Sequence, residues 1–138
     1  ARSRGDEVFR LDRWETELNS AIPGDPRDTT SPVAMLNTLQ KLTVGDGLPA
    51  PARSTLVDWM LGNTTGNERM RAGVPAGWKV ADKTGSGSYG STNSIGVLYP
   101  PNRAPIIAVV FYTQGAKDAP NRNEVVAAAT RAIVKALA

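Results

Sequence analysis

No helix or strand can run unbroken from Arg10 to Asp28. Pro23 and Pro26 lack the amide hydrogen that either element needs, and Gly24 between them offers no conformational preference to resist the break. So long an irregular stretch inside a folded domain is uncommon and generally serves a function. It carries Glu15 and Asn19, four positions apart, while Arg13 and Asp28 form an opposite-charge pair able to tie a loop closed. The expectation is a loop over 10–32 that holds a carboxylate over a reaction centre. Each residue also has a plainer use: a solvated acid for Glu15, a backbone partner for Asn19, a structural salt bridge for Arg13 with Asp28. Arg10, Asp12 and Arg27 read as charges that fix the loop.

The chain has 138 residues, enough for one domain with its own core. It holds neither cysteine nor histidine. Disulfides, thiolate nucleophiles, imidazole bases and zinc sites are thereby removed, and no metal or cofactor is expected. Proton chemistry falls to carboxylates, lysine and hydroxyls. Sixteen basic residues against 13 acidic ones are scattered rather than stacked in a stripe, so nucleic-acid binding has little electrostatic support. No apolar run is long enough to span a bilayer. The opening A-R-S-R-G-D has no methionine and no apolar signal segment, so the chain reads as processed or as beginning partway through a longer protein.

Past the loop, Ser31 and Pro32 mark an N-cap and a first helical position, followed by Val33, Leu36, Leu39 and Leu42 at core-facing helical spacing. A second helix is expected from Pro51, with Leu56, Trp59, Met60 and Leu61 on its apolar side, ending at Gly62-Asn63. A short third one spans 67–72, so that helices occupy 32–73. Strands follow over 78–113, as 78–83, 94–99 and 106–113, the last two joined by the turn Pro100-Pro101-Asn102-Arg103. The continuous apolar run from Ile106 suits a strand covered on both faces. A closing helix over 119–137 keeps Val125, Val126, Ala129, Ile133, Val134 and Leu137 at helical spacing. The fold class is α/β in the α+β sense: an antiparallel sheet flanked by helices, in one unit without repeats or linkers.

At the end of the first strand stands Lys83-Thr84-Gly85-Ser86-Gly87-Ser88. An ammonium, hydroxyls and a backbone open to close approach suit an anionic substrate and a developing oxyanion. Taken alone, such a Gly- and Ser-rich turn is common after strands. Arg69 and Arg71 read as a solvated helix face unless the fold brings one of them to the site.

As an ordered set the features are far more specific. R-L-D-R-W-E-T-E-L-N, R-D-T-T, P-A-G-W, D-K-T-G-S-G and the closing helix together resemble the C-terminal half of a class A serine β-lactamase, a family for which K-T-G is a signature. The resemblance covers essentially the whole chain. It implies hydrolysis of the β-lactam ring through an acyl-serine, in a periplasmic or secreted protein. Glu15 matches the base that activates the deacylating water and Asn19 its partner. Lys83 matches the lysine that sets the electrostatics of the site; Thr84, Gly85 and Ser86 match the substrate-binding strand, the Ser86 backbone N–H being half of the oxyanion hole. Where many members carry an arginine for the substrate carboxylate this chain has Thr92, and Arg69 is the expected substitute. Ser86 and Ser88 point to cephalosporins being accommodated.

The departures are as informative. No serine has lysine three residues on, and S-D-N does not occur. The nucleophile is therefore expected from an N-terminal half of the same enzyme, as a second chain, with the present chain inactive alone and its first residue falling within a family helix. The sheet would be left with an unpaired apolar edge. Competing readings are a penicillin-binding transpeptidase or carboxypeptidase fragment, which shares K-T-G but does not need Glu15 with Asn19, and an inert fragment that binds a partner.

Overall fold

Strand β2 (Ser91–Tyr99) is the spine of the molecule, flanked on one side by β1 (Lys79–Gly87) and on the other by β3 (Ile106–Val110). The computed structural model describes residues 2–137. Both pairings are antiparallel, with Lys83 opposite Ile95, Ser86 opposite Thr92, and Ile95 opposite Val109. Helices α1 (Pro32–Thr43) and α2 (Ala50–Leu61) lie on one face of the sheet, and α3 (Asn123–Leu137) covers the other.

The period of two along the strands explains this two-sided packing. Val80, Leu98, Ile106, Ala108 and Val110 join Val126 and Val134 of α3 in one buried cluster. Ala81 and Val97, from alternate positions, join Leu39 of α1 and Met60 of α2 in the other. β3 alternates between buried and half-buried residues, as a strand with cover on both faces should.

Local chemistry sets the helix boundaries. Ser31 Oγ accepts the Ala34 amide at 3.2 Å with Pro32 in the first turn, a cap that stabilises α1 by about 1 kcal/mol. α2 begins at Ala50, one residue before the expected Pro51, and stops at Gly62. α3 begins at Asn123 rather than at 119.

Three expectations need correction. The third helix is only a 3-10 turn over Met70–Gly73, because its brackets are pinned by tertiary contact: Gly66 lies against the Asp82 carboxylate and Gly73 against Thr130 of α3. Val33, Trp59 and Leu137 keep helical spacing yet are largely exposed, Trp59 at 73%. β1 and β2 are longer than expected and β3 ends at Val110, so Thr84 to Gly87 lie within a strand rather than after one. Polar residues there sit on a sheet edge, where β structure does not require apolar side chains.

The segment between α2 and β1 is fastened by Asp82, whose side chain is fully buried. It accepts from Arg71 Nε at 2.8 Å and from Asn63 Nδ2 at 2.8 Å. Arg71, read from sequence as a solvated residue, also donates to the carbonyls of Leu61 and Val80. A Cβ on Gly66 would lie 1.9 Å from Asp82 Oδ2. Gly66→Ala should therefore destabilise the fold by about 1–3 kcal/mol through overpacking, read as a lower urea midpoint with an unchanged slope. A midpoint equal to wild type would show that Asp82 can move without cost.

Candidate active site

The loop closes where the sequence charges predicted. Arg13 Nε donates to Asp28 Oδ2 at 2.6 Å, and Asp28 Oδ1 accepts the backbone amides of Asp12 at 2.6 Å and Arg13 at 3.0 Å. Arg13 Nη1 also reaches Ser20 Oγ at 2.8 Å. Arg10 pairs with Asp12 and Arg27 with Asp25, so all three fixing charges act within the loop. Burial pushes the Asp28 carboxyl up, but the Asp12 amide, the Arg13 side chain and the Arg13 amide outweigh it and leave its pKa below the ordinary 3.8. Because the folded pKa is the lower one, the stabilisation is present above the ordinary value and is lost as pH falls below it.

Inside that closure, Asn19 Nδ2 donates to Glu15 Oε2 at 2.6 Å. The Asn19 carbonyl accepts the Ser88 amide at 2.9 Å, and a Cβ on Gly87 would lie 2.7 Å from that carbonyl oxygen. Thus Asn19 holds the carboxylate with its side chain and the end of β1 with its main chain. Only glycine at position 87 permits that approach.

β1 then presents Lys83, Thr84, Gly85 and Ser86 in succession. Lys83 and Ser86 are exposed, and Lys83 Nζ donates to its neighbour's carbonyl, Thr84 O, at 2.5 Å. The outer edge of β1 has no strand partner among the described residues.

Arg69 is brought to this strand from behind. It is 8% exposed, far from the solvated alternative. Its Nη2 donates to Ser86 Oγ at 2.7 Å, its Nη1 to the carbonyls of Gly85 at 2.7 Å and Asn93 at 3.0 Å, and its Nε to Asn123 Oδ1 at 2.8 Å. No carboxylate forms an ion pair with it among the described residues. Burial lowers its pKa, opposed by the charge of Asp82. A guanidinium held only by neutral groups beside an exposed hydroxyl leaves a positive field for an anion.

Thr92 has a different task. Its hydroxyl donates to the Gly90 carbonyl and accepts from the Arg122 amide at 3.0 Å and Asn121 Nδ2 at 3.2 Å, anchoring the approach to α3. Sequence reading missed Asn123, whose Nδ2 donates to Glu68 Oε2 at 2.8 Å and so turns its oxygen to Arg69. It also missed Asn63 and Thr65, which reach β1 from the α2 side; the Thr65 and Thr84 hydroxyls stand 2.5 Å apart. No sequence motif marks these residues, whose links to β1 and to Arg69 span 19 or more positions.

The loop thus brings a carboxylate braced by an amide to a strand that bears an ammonium, hydroxyls and a buried guanidinium, a grouping of proton acceptor, donors and positive charge. The chain belongs to the β-lactamase enzyme family, whose model matches residues 3–137. It is 55% identical to a β-lactamase of Citrobacter koseri over 137 residues, covering 99% of this chain and 47% of that protein. It is 56% identical to β-lactamase CTX-M-6 of Salmonella typhimurium, over 96% of this chain and 46% of that one. A β-lactamase structure from Desulfarculus baarsii superposes with a TM-score of 0.96 at 51% identity, over 99% of this chain and 51% of that one. The chain thus spans about half the length of the curated relatives it matches.

Asp28→Asn should open the loop at neutral pH, seen as faster proteolytic cleavage between 10 and 28. The wild-type loop should reach the same susceptibility only as pH falls below 3.8, where Asp28 protonates. Equal cleavage of both proteins at pH 7 would count against the tie.

Proposed function

We propose that this chain is the C-terminal half of a class A serine β-lactamase and supplies its deacylation and substrate-binding residues. It acts on penicillins or cephalosporins, in the periplasm or outside the cell. The observation that carries the reading is the 2.6 Å hydrogen bond from Asn19 to Glu15, on a loop bonded to the strand that bears Lys83 and Ser86. A transpeptidase has no use for a braced base of this kind, since its acyl-enzyme need not be hydrolysed quickly.

The first step belongs to a serine in S-x-x-K on an N-terminal half of the same enzyme. Its hydroxyl oxygen attacks the lactam carbonyl, the ring C–N bond breaks, nitrogen takes the proton, and an ester remains. Glu15 then removes a proton from a water held between it and the Asn19 amide. The water oxygen attacks the ester carbonyl, the C–O bond to serine breaks, and the proton returns to the serine oxygen. The Ser86 backbone N–H stabilises the oxyanion of both steps with a second N–H from the N-terminal half, and Lys83 adds positive charge. Arg69, through Ser86 and with Thr84, receives the substrate carboxylate.

Three surfaces support the docking of an N-terminal half. The outer edges of β1 and β3 are unpaired among the described residues. An apolar groove of about 340 Å³ between α1 and α2, lined by Leu39, Leu42, Leu56, Trp59 and Met60, runs to Lys83. The chain alone should not turn over a β-lactam.

Complementation tests the reading. The chain mixed with an N-terminal half bearing S-x-x-K should hydrolyse a chromogenic cephalosporin, and neither part alone should do so. In the mixture, Glu15→Gln should slow deacylation by about 100- to 10,000-fold, leaving a stable acyl-enzyme in the mass spectrum. Full turnover by that variant would remove Glu15 from its role. A wild-type mixture that acylates but does not turn over would favour the transpeptidase, and a stable complex without acylation would favour an inert partner-binding module.

A further inference from the structure

Thr65 has no part in the roles assigned so far, yet the hydrogen bonds around it fix the direction of every proton between it and the substrate strand. The Asp82 carboxylate can only accept, so the Asn63 atom facing it at 2.8 Å is the amide nitrogen, and Asn63 Oδ1 is turned to Thr65. That oxygen accepts the Thr65 backbone amide at 3.2 Å and stands 2.8 Å from the Thr65 hydroxyl. An amide oxygen has no proton to give, so the hydroxyl donates. Its single proton is then used, and in the 2.5 Å contact between the two hydroxyls Thr84 must be the donor. Thr84 therefore offers an arriving ligand only lone pairs.

Ser86 is in the opposite condition. A guanidinium can only donate, so Ser86 Oγ accepts from Arg69 at 2.7 Å and keeps its own proton for the ligand. Of the two hydroxyls on the strand, one is set to receive an anion and the other is set against it.

We propose that Thr65 is a positioning residue that reverses Thr84 when an anion binds. The Thr65 hydroxyl turns from Asn63 Oδ1 to Thr84 Oγ1, and the Thr84 proton turns to the substrate carboxylate. Asn63 Oδ1 keeps the Thr65 backbone amide, so no buried acceptor is orphaned by the turn. Two neutral hydrogen bonds, Thr65 to Asn63 and Thr84 to Thr65, become one neutral bond, Thr65 to Thr84, and one stronger charge-assisted bond to the carboxylate. A neutral ester is a weaker acceptor and gains less from the reversal. Discrimination between an acid and its ester is thus the property Thr65 controls. The inference rests on the carboxylate-binding role proposed above for Thr84 and Ser86.

The full chain provides the test, because it has no S-x-x-K serine through which a cephalosporin could be consumed during the titration. Amide shifts of Ser86 and its neighbours, titrated with a cephalosporin 4-carboxylic acid and with its methyl ester, give two dissociation constants and their ratio. Wild type should prefer the acid. Thr65→Val keeps a β-branched side chain at an exposed position and frees Thr84 to donate without giving up a bond to Asn63, so it should raise the acid preference by about 5-fold, the equivalent of one neutral hydrogen bond; Thr65→Ser should return it to the wild-type ratio. An unchanged ratio in Thr65→Val, or equal weakening of acid and ester, would overturn the relay while leaving the carboxylate site standing. So would a Thr65→Ser variant that behaves like valine. A wild type that does not prefer the acid would remove the carboxylate reading and the relay together.

Discussion

A fully buried Asp82 carboxylate holds the segment between α2 and β1 in place, and most of the site depends on it. Asn63 and Arg71 both donate to it, and Gly66 passes close enough to exclude any side chain. A charge so deep is tolerated only when its oxygens are bonded, and removing either partner would leave it uncompensated. The reward is geometric. The segment it fastens carries Thr65 to Thr84 and Arg69 to Ser86, so one interaction on the covered side of the strand sets up the hydroxyls on its exposed end.

Features written in short-range chemistry were legible in the sequence. Ser31 with Pro32 declares a helix start because cap and first turn are adjacent in the chain, and the apolar run from Ile106 declares a strand. Glu15 with Asn19 and Arg13 with Asp28 were legible as pairs because one loop contains both members of each. The ordered motifs did the rest, since a family resemblance carries long-range information that periodicity does not.

What was not legible is tertiary. Periodicity puts Trp59 and Val33 on apolar faces but says nothing of what covers them, and both stand in solvent. The third helix shrank to a 3-10 turn because its glycines answer to Asp82 and Thr130 rather than to helix propensity. Arg69 and Arg71 look alike as neighbours on a polar turn. Burial separates them: one is neutralised by Asp82, while the other is held by carbonyls, an amide and a hydroxyl and keeps its charge for the site.

The two-ended attachment of Asn19 has a mechanical consequence. Its side chain grips the Glu15 carboxylate, and its carbonyl grips the start of the Ser88–Gly90 turn, where Tyr89 and Gly90 both adopt left-handed backbone conformations. A shift in that turn is transmitted through a single residue to the position of the Glu15 carboxylate. The hairpin end is therefore a lever on that carboxylate, and under the function proposed above variation in the turn would retune the deacylation step without altering a side chain that meets the substrate.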